Sequence, residues 1–260
     1  MIIKNLPQKT ILKKTQLSGI GLHSGDQINI ALKPAEENQG FVFIRTDLNP
    51  NISIPALANF VSKTDRGTTI SKEGVEIKTI EHILAALVGC GINNCIIETS
   101  GGEIPIMDGS SIKFVEAIQK TGVKEQNALQ EVFEVDETIK ISDEITGSEI
   151  MIIPDSNLSI SVMIDFETEV LGTQNAILKD IEDFDTEIAN CRTFSFLHEL
   201  ETLLDKNLIK GGDVNNAIIY VNKPLAKANM GRLKKAFNKE DITVKKNGIL
   251  NNLTLNHSNE

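Results

Sequence analysis

Short β-prone segments separated by turn residues occur in two sets along the chain, and each set leads into a helix with an apolar face. Ile and Val recur through both sets, and β-branched residues favour strands, whereas Gly and Asn mark the turns. This repeated order predicts an α+β fold of two similar two-layer units, each a β-sheet covered by helices, that arose by internal duplication. We expect the units to span residues 1–126 and 131–260, with a short polar linker near residues 124–130.

The same patterns predict individual elements. In the first unit, strands are predicted at residues 10–17, 27–34, 41–45 and 95–99, and a polar turn is predicted at 62–67. Helices are predicted at residues 80–88 and after Asp108-Gly109-Ser110, with Gly122 ending the second helix. In the second unit, strands are predicted at residues 137–142, 149–153, 158–166 and 217–221, and helices at 197–206 and 227–237. Residues 165–175 are interpreted as an insertion.

Charge and apolar patterning exclude several classes of protein. The net charge is −10, whereas a broad nucleic-acid surface needs a basic face. No apolar run approaches the ~20 residues that span a bilayer, and the first ten residues lack the apolar core of a signal peptide. The three cysteines form no CxxC pair, so neither a disulfide framework nor a cysteine zinc site is expected. We therefore expect a cytoplasmic protein with no transmembrane segment and no nucleic-acid partner.

The best candidate site is Glu81-His82 at the start of the helix predicted at residues 80–88. At about 100° per residue, His82 points nearly opposite the apolar face, which contains Ile80, Leu84, Leu87 and Val88, with Ile83 at its edge. A neutral imidazole beside a carboxylate suits a metal ligand next to a general base. From this segment alone a surface histidine on an exposed helix is the favoured interpretation, because a His-Glu pair is common and no HExxH motif is present. The four histidines show no helical metal-binding spacing, so these residues alone leave both interpretations open.

Six short motifs in a fixed order carry a resemblance to a known family. The motifs are Gly-Ile-Gly-Leu-His-Ser-Gly at residues 19–25, Arg-Thr-Asp-Leu at 45–48, Thr-Ile-Glu-His at 79–82, Glu-Ile-Pro-Ile-Met-Asp-Gly-Ser at 103–110, Arg-Thr-Phe at 192–194 and Gly-Gly at 211–212. Together they resemble the zinc-dependent UDP-3-O-acyl-N-acetylglucosamine deacetylases, which act in the lipid A part of lipopolysaccharide biosynthesis. The resemblance covers nearly the whole chain.

The resemblance implies catalytic roles for three residues. His82 would be a zinc ligand, and Glu81 would be the base that activates the attacking water. Thr193 would stabilise the oxyanion of the tetrahedral intermediate, through a hydrogen bond that strengthens as charge develops.

The resemblance also implies substrate contacts. Phe194 would stack against the nucleotide sugar, and His23, Gly211 and Gly212 would lie at the substrate. Asp108 is explained by the Asp-Gly turn before a helix. The substrate implied is a UDP-linked acylated glucosamine, whose acyl chain would need an apolar passage in the second unit and would bring transient contact with a membrane surface. A monomer is expected.

The departure from the family pattern lies at the end of the chain. The family takes its other two zinc ligands from a His-x-x-x-Asp helix and its general acid from a further histidine. Here His257 is followed by only three residues and lacks an Asp four positions on. We interpret His257 as a loop residue, the zinc site as incomplete, and the second unit as lacking its closing elements. The alternatives are an inactive truncated remnant, or the N-terminal part of a deacetylase–dehydratase fusion.

Overall fold

A computed structural model describes residues 2–197, 199, 210–222, 231, 234, 248–250 and 254–257. The strands are β1 (Ile2–Ile11), β2 (Thr15–Ile20), β3 (Gln27–Pro34), β4 (Phe41–Arg45), β5 (Ile52–Pro55), β6 (Val61–Lys63), β7 (Thr69–Lys72), β8 (Val75–Ile77), β9 (Cys95–Thr99), β10 (Val123–Val132), β11 (Ile139–Ser142), β12 (Glu149–Ile152), β13 (Ile160–Asp165), β14 (Thr173–Leu178), β15 (Phe194–Phe196) and β16 (Ile218–Tyr220). The helices are α1 (Glu81–Gly89), α2 (Ile112–Thr121) and α3 (Phe184–Glu187), with short 3-10 turns at Ala58–Phe60 and Ile181–Asp183. The mixed content confirms the predicted α+β class.

The main sheet has the strand order β2-β3-β9-β4-β5. Neighbours are antiparallel except β4 and β9, which run parallel with Phe43 opposite Ile97. Residues alternate between buried and exposed in the first half of β3 and between buried and half-buried along β9, because successive side chains of a strand point to opposite faces. The inward side chains pack against α1 and α2, so one face of this sheet carries the core of the first unit.

The buried face of α1 differs from the prediction. Ile83, Ala86 and Leu87 are buried, whereas Val88 is 44% exposed. The predicted face was therefore rotated, and only Ile80 and Leu87 of it are buried. The reason lies in the packing partners, since α1 contacts both α2 and α3 and these contacts select the buried side.

The linker predicted at residues 124–130 is wrong, because this segment lies inside β10. Strand β10 pairs antiparallel with β1 from Ile2↔Val132 to Ile11↔Val123. Its polar side chains form bonds of their own, as when Gln126 accepts from Asn94 at 2.8 Å. The polar residues of this segment therefore belong to a paired strand, and polarity here does not mark a linker. The unit boundaries at 126 and 131 remain a prediction.

A small sheet that the sequence patterns did not predict precedes α1. Strands β6, β7 and β8 form three antiparallel strands, and β7 packs against β5. The turn predicted at residues 62–67 extends from β6 towards β7, so it lies at the edge of this sheet. The sheet positions residues 64–68 beside the start of α1, where Thr68 contacts Glu81.

The second unit contains two antiparallel hairpins, β11–β12 and β13–β14, and the parallel pair β15–β16. Four of these six strands match the predicted segments, whereas β14 and β15 were not predicted, and β14 begins inside the segment interpreted as an insertion. The helices predicted at 197–206 and 227–237 lie mostly outside the described residues, of which 197, 199, 231 and 234 are helical. Leu178, Phe184 and Ala189 belong to the core of the first unit, so the two halves share buried surface. Internal duplication remains a prediction.

Candidate active site

Glu81 opens α1 and is held by the neighbouring loop. Its Oε2 accepts a hydrogen bond from the Thr68 amide at 2.9 Å. Gly67 lies so close that an added Cβ would sit 3.0 Å from Glu81 Oε1. The carboxylate therefore has a defined orientation at the helix N-terminus, where the macrodipole favours its negative charge.

His82 lies in a largely desolvated environment beside two carboxylates. Burial lowers the pKa of its imidazole, while the charges of Glu81 and Asp108 act in the opposite direction. Burial disfavours the charged form, so the neutral ring is favoured at neutral pH. This environment differs from that of the exposed surface histidine considered from the sequence.

Thr193 lies against the turn that contains Asp108. The Thr193 amide donates to the Gly109 carbonyl at 2.7 Å, and the Thr193 carbonyl accepts from Ile218 at 2.9 Å. Asp108 accepts from the Ser110 amide at 3.1 Å and from its hydroxyl at 2.8 Å, as expected for an Asp-Gly turn. The charge of Asp108 acts to raise the pKa of His82, so this turn lies within electrostatic range of the start of α1.

A second connection to that segment was not predicted from the sequence. Arg66 pairs with Glu199 through the two terminal nitrogens of its guanidinium group, at 2.8 and 3.2 Å. Glu199 also accepts from the Phe196 amide at 3.1 Å and the Ser195 hydroxyl at 3.3 Å. Burial raises the pKa of Glu199, but the hydrogen bonds from Arg66 and Phe196 outweigh it and the net pKa is lowered. No local pattern signals a pair of residues 133 positions apart.

Phe194 lies within an aromatic cluster. Its ring meets Phe166, Phe196 and Tyr220 edge to face, with centroids 5.2, 5.6 and 5.8 Å apart. Such edge contacts are a favoured geometry of aromatic pairs. The partly buried Val170, Leu171 and Leu255 pack against the same cluster. Thus the residues around Phe194 form an apolar surface next to Thr193.

The turn that contains His23 contacts Gly211, and this is a third connection between the first and second halves of the chain. The Gly211 amide donates to the Leu22 carbonyl at 3.2 Å, and Glu103 accepts from the amides of His23 and Ser24 at 3.0 Å each. His23, Glu103 and Lys210 line a cavity of about 880 Å³ that extends beneath the β6–β8 sheet. Glu81, His82 and Thr193 do not line this cavity, although their neighbours Gly67 and Thr79 do.

Comparison with known proteins decides the family. Residues 8–239 match the sequence profile of the UDP-3-O-acyl N-acetylglycosamine deacetylase (LpxC) family. The chain belongs to this family. A UDP-3-O-acyl-N-acetylglucosamine deacetylase of Myxococcus xanthus is 41% identical over 82% of this chain and 67% of its own length.

Other relatives of this deacetylase family are longer. The bifunctional enzyme LpxC/FabZ of Bacteroides thetaiotaomicron is 38% identical over 98% of this chain, and that of Chlorobaculum tepidum is 41% identical over 97%. In both cases the match covers 55% of the relative. The chain therefore spans about half the length of these curated relatives.

The described residues do not complete the zinc site that the deacetylase family suggests. A catalytic zinc normally has three protein ligands. Across residues 2–197 and the shorter described segments, no three His, Cys, Asp or Glu side chains converge to hold a metal. His82 has Glu81 and Asp108 nearby, but this set does not by itself fit a zinc ion.

His257 lies near the Thr193 segment, in a bend as predicted. Its Nε2 is 2.7 Å from Asn190 Oδ1. The side-chain amide of the neighbouring Asn256 donates to the Asn190 backbone carbonyl at 2.9 Å. Arg192 donates to the Thr254 carbonyl at 2.9 Å, so residues 254–257 pack along the stretch that precedes Thr193.

Proposed function

We propose that this chain contributes the active-site residues for hydrolytic removal of the N-acetyl group from UDP-3-O-acyl-N-acetylglucosamine, in lipid A biosynthesis. Membership of the deacetylase family supports this reaction class. The observation that carries the residue assignment is the link between α1 and the Thr193 segment, made through the Asp108 turn and the Arg66–Glu199 pair. These contacts support the proposal that the Glu81 carboxylate, the His82 imidazole and the Thr193 hydroxyl act at one site.

In this proposal Glu81 acts as the general base. Water attacks the amide carbonyl carbon, Glu81 takes a proton from that water, and cleavage of the C–N bond releases acetate. The leaving amine takes up the proton that Glu81 removed, so the reaction as a whole consumes one water molecule. Glu81 Oε2 is occupied by the Thr68 amide, and its Oε1 accepts no hydrogen bond within the described part of the chain. That oxygen is therefore suited to receive the proton.

Thr193 and Phe194 are proposed to act on opposite parts of the substrate. The Thr193 hydroxyl would donate to the carbonyl oxygen as its negative charge develops, where a hydrogen bond contributes most. Its backbone is fixed at both amide and carbonyl, which keeps the side chain in place. Phe194 would contact the nucleotide sugar, and its cluster with Phe166 and Val170 offers apolar surface for the acyl chain. His23, Gly211 and Gly212 would border the substrate.

His82 is proposed as one ligand of a zinc ion. The lowered pKa of its imidazole supports this role, because zinc binds the neutral ring. The remaining ligands would have to come from outside the described residues. No step of the proposed mechanism depends on them.

The assay is release of acetate from UDP-3-O-acyl-N-acetylglucosamine, followed by mass spectrometry. Glu81→Gln should lower kcat by about 10²- to 10⁴-fold, the usual contribution of a general base. Thr193→Val should lower it by about 10²- to 10³-fold. Glu116→Gln is the matched control, since Glu116 is exposed on α2 and, among the residues that the structure describes, forms an ion pair with Lys113 alone. Equal rates for Glu81→Gln and the control would refute the assignment of the base.

A second proposal is that the deacetylase sequence here is part of a bifunctional enzyme. The LpxC/FabZ relatives align over 253–256 residues, whereas the single-function deacetylases align over 213–217. The additional matched length favours the bifunctional group. Mass measurement of the native polypeptide tests this. A native mass close to the 28.5 kDa of this chain would refute it.

Compartment, oligomeric state and membrane contact remain predictions. No helix within the described ranges is long and apolar enough to cross a membrane. Binding of the chain to anionic vesicles, measured by sedimentation with and without substrate, would test the predicted transient contact with a membrane surface. Light scattering would test the predicted monomer.

A further inference from the structure

Among the residues that the structure describes, Glu103 is the one buried residue with a carboxylate or basic side chain, and it is 2% exposed. Its Oε1 accepts from the His23 amide at 3.0 Å and from the Thr79 hydroxyl at 3.2 Å. Its Oε2 accepts from the Ser24 amide at 3.0 Å. A buried carboxylate is costly unless hydrogen bonds compensate it. Here three donors do so, and they come from two separate segments.

The first segment is the turn that contains His23. Its close fit around Glu103 requires glycine at position 21, because a Cβ there would lie 2.5 Å from Glu103 Oε2. The turn is also held from outside, since the Leu22 carbonyl accepts from Gly211. Glu103 therefore fixes the inner side of a turn whose outer side meets the second half of the chain.

The second segment leads directly into α1. Thr79 has a φ of 59°, a left-handed conformation that is unfavourable for a β-branched residue. The Thr79 hydroxyl donates a hydrogen bond to the Glu103 side chain. The backbone of the preceding residue, Lys78, also pairs with the backbone around Glu103. Ile104 donates to the Lys78 carbonyl at 2.9 Å, and Lys78 donates to the Gly102 carbonyl at 3.0 Å. The position of Glu81, two residues further on, depends on this junction.

We propose that Glu103 is a positioning residue that sets the His23 turn and the start of α1 in register. Glu103 does not contact the reacting atoms. It couples the turn at the substrate edge to the helix that presents Glu81. This inference rests on the proposed function for its catalytic consequence, but the coupling itself is a property of the chain and can be measured without turnover.

The experiment compares Glu103→Gln with the wild type by amide NMR and by kinetics. The glutamine has the same shape but one acceptor oxygen, so one backbone donor loses its partner. Amide resonances of both His23 and residues 79–82 should shift. The kcat of deacetylation should fall by about 10- to 100-fold, as for a small misplacement of a catalytic group, with KM changed much less.

The control is Ile97→Val, a buried substitution in the main sheet that should lower stability without touching either segment. It should leave the amides of residues 79–82 and kcat unchanged. Shifts in Glu103→Gln confined to residues 23 and 24 would overturn the coupling. If the wild type shows no deacetylase activity, the proposed function is refuted. The NMR comparison would still decide whether Glu103 couples the two segments.

Should Glu103→Gln fail to fold, Thr79→Val removes only the hydroxyl bond to Glu103. Its expected result is a shift of the His23 and Ser24 amides, transmitted through the carboxylate. Unchanged His23 and Ser24 resonances in Thr79→Val would refute the proposal.

Discussion

Substitution of Gly211 by alanine tests directly whether the second half of the chain packs against the His23 turn. An added Cβ would overlap the Gly21 carbonyl oxygen and lie 2.8 Å from Ile20 Cγ2. The overlap with a backbone atom cannot be relieved by a side-chain rotamer. Overpacking of this kind costs about 1–3 kcal/mol, which corresponds to a fall in Tm of roughly 2–4 °C per kcal/mol for a chain of this size.

The assay combines thermal unfolding with hydrogen exchange. Gly211→Ala should melt several degrees below the wild type, and the Gly211 amide, which donates to Leu22, should lose protection. Gly101→Ala is the matched control, because its Cβ would approach Ile28 no closer than 3.4 Å, an ordinary contact. If the two variants have the same Tm and the amide at position 211 stays protected in Gly211→Ala, the close approach of Gly211 and Gly21 does not exist.

Three further predictions concern the core, the ion pair and the thiols. Phe184→Ala should lower the free energy of unfolding in urea by about 3–5 kcal/mol, since the ring is 6% exposed in the shared core, and a loss below about 1 kcal/mol would contradict that packing. A double-mutant cycle of Arg66→Ala and Glu199→Gln should give a coupling of about 0.2–1 kcal/mol. Because the pKa of Glu199 is lowered, this coupling should be constant above pH 4.5 and disappear as the pH falls through the lowered value, and a coupling that grew on acidification would be inconsistent with the pair. Burial raises the pKa of Cys90 from 9.0 to about 11 and that of Cys95 to about 12. Both thiols should therefore react with iodoacetamide at pH 8 at least about 100-fold more slowly than a free thiol, and labelling of either one at the free-thiol rate would disprove its burial.

Much of the secondary structure and the family could be predicted from the sequence. The strands at 27–34, 41–45 and 95–99 match their predicted ends, because each has an uninterrupted apolar or alternating pattern bounded by turn residues. The helices at Glu81–Gly89 and Ile112–Thr121 lie within one or two residues of the expected positions. The six ordered motifs were sufficient to recognise the deacetylase family, which the profile match over residues 8–239 confirms.

The same patterns were misleading where the burial of an element depends on a distant partner. The ribbon strand β10 contains polar residues whose side chains form hydrogen bonds, since Gln126 accepts from Asn94 and Gln130 donates to the Pro7 carbonyl, so its composition resembled that of a linker. The apolar face of α1 was rotated by contacts with α2 and with Phe184, which lies almost a hundred residues further along the chain. Periodicity reports that a face is buried, but not which neighbour buries it.

The sequence by itself determined the local elements, the motifs and the candidate residues Glu81, His82 and Thr193. Only the tertiary structure decided how the two halves of the chain contact each other, through the hydrogen bond of Thr193 to Gly109, the Arg66–Glu199 pair and the contact of Gly211 with Leu22. The physical reason is range. Propensity and periodicity act over a few residues, whereas the Thr193–Gly109, Arg66–Glu199 and Gly211–Leu22 hydrogen bonds join residues more than 80 positions apart and depend on the path of the whole chain.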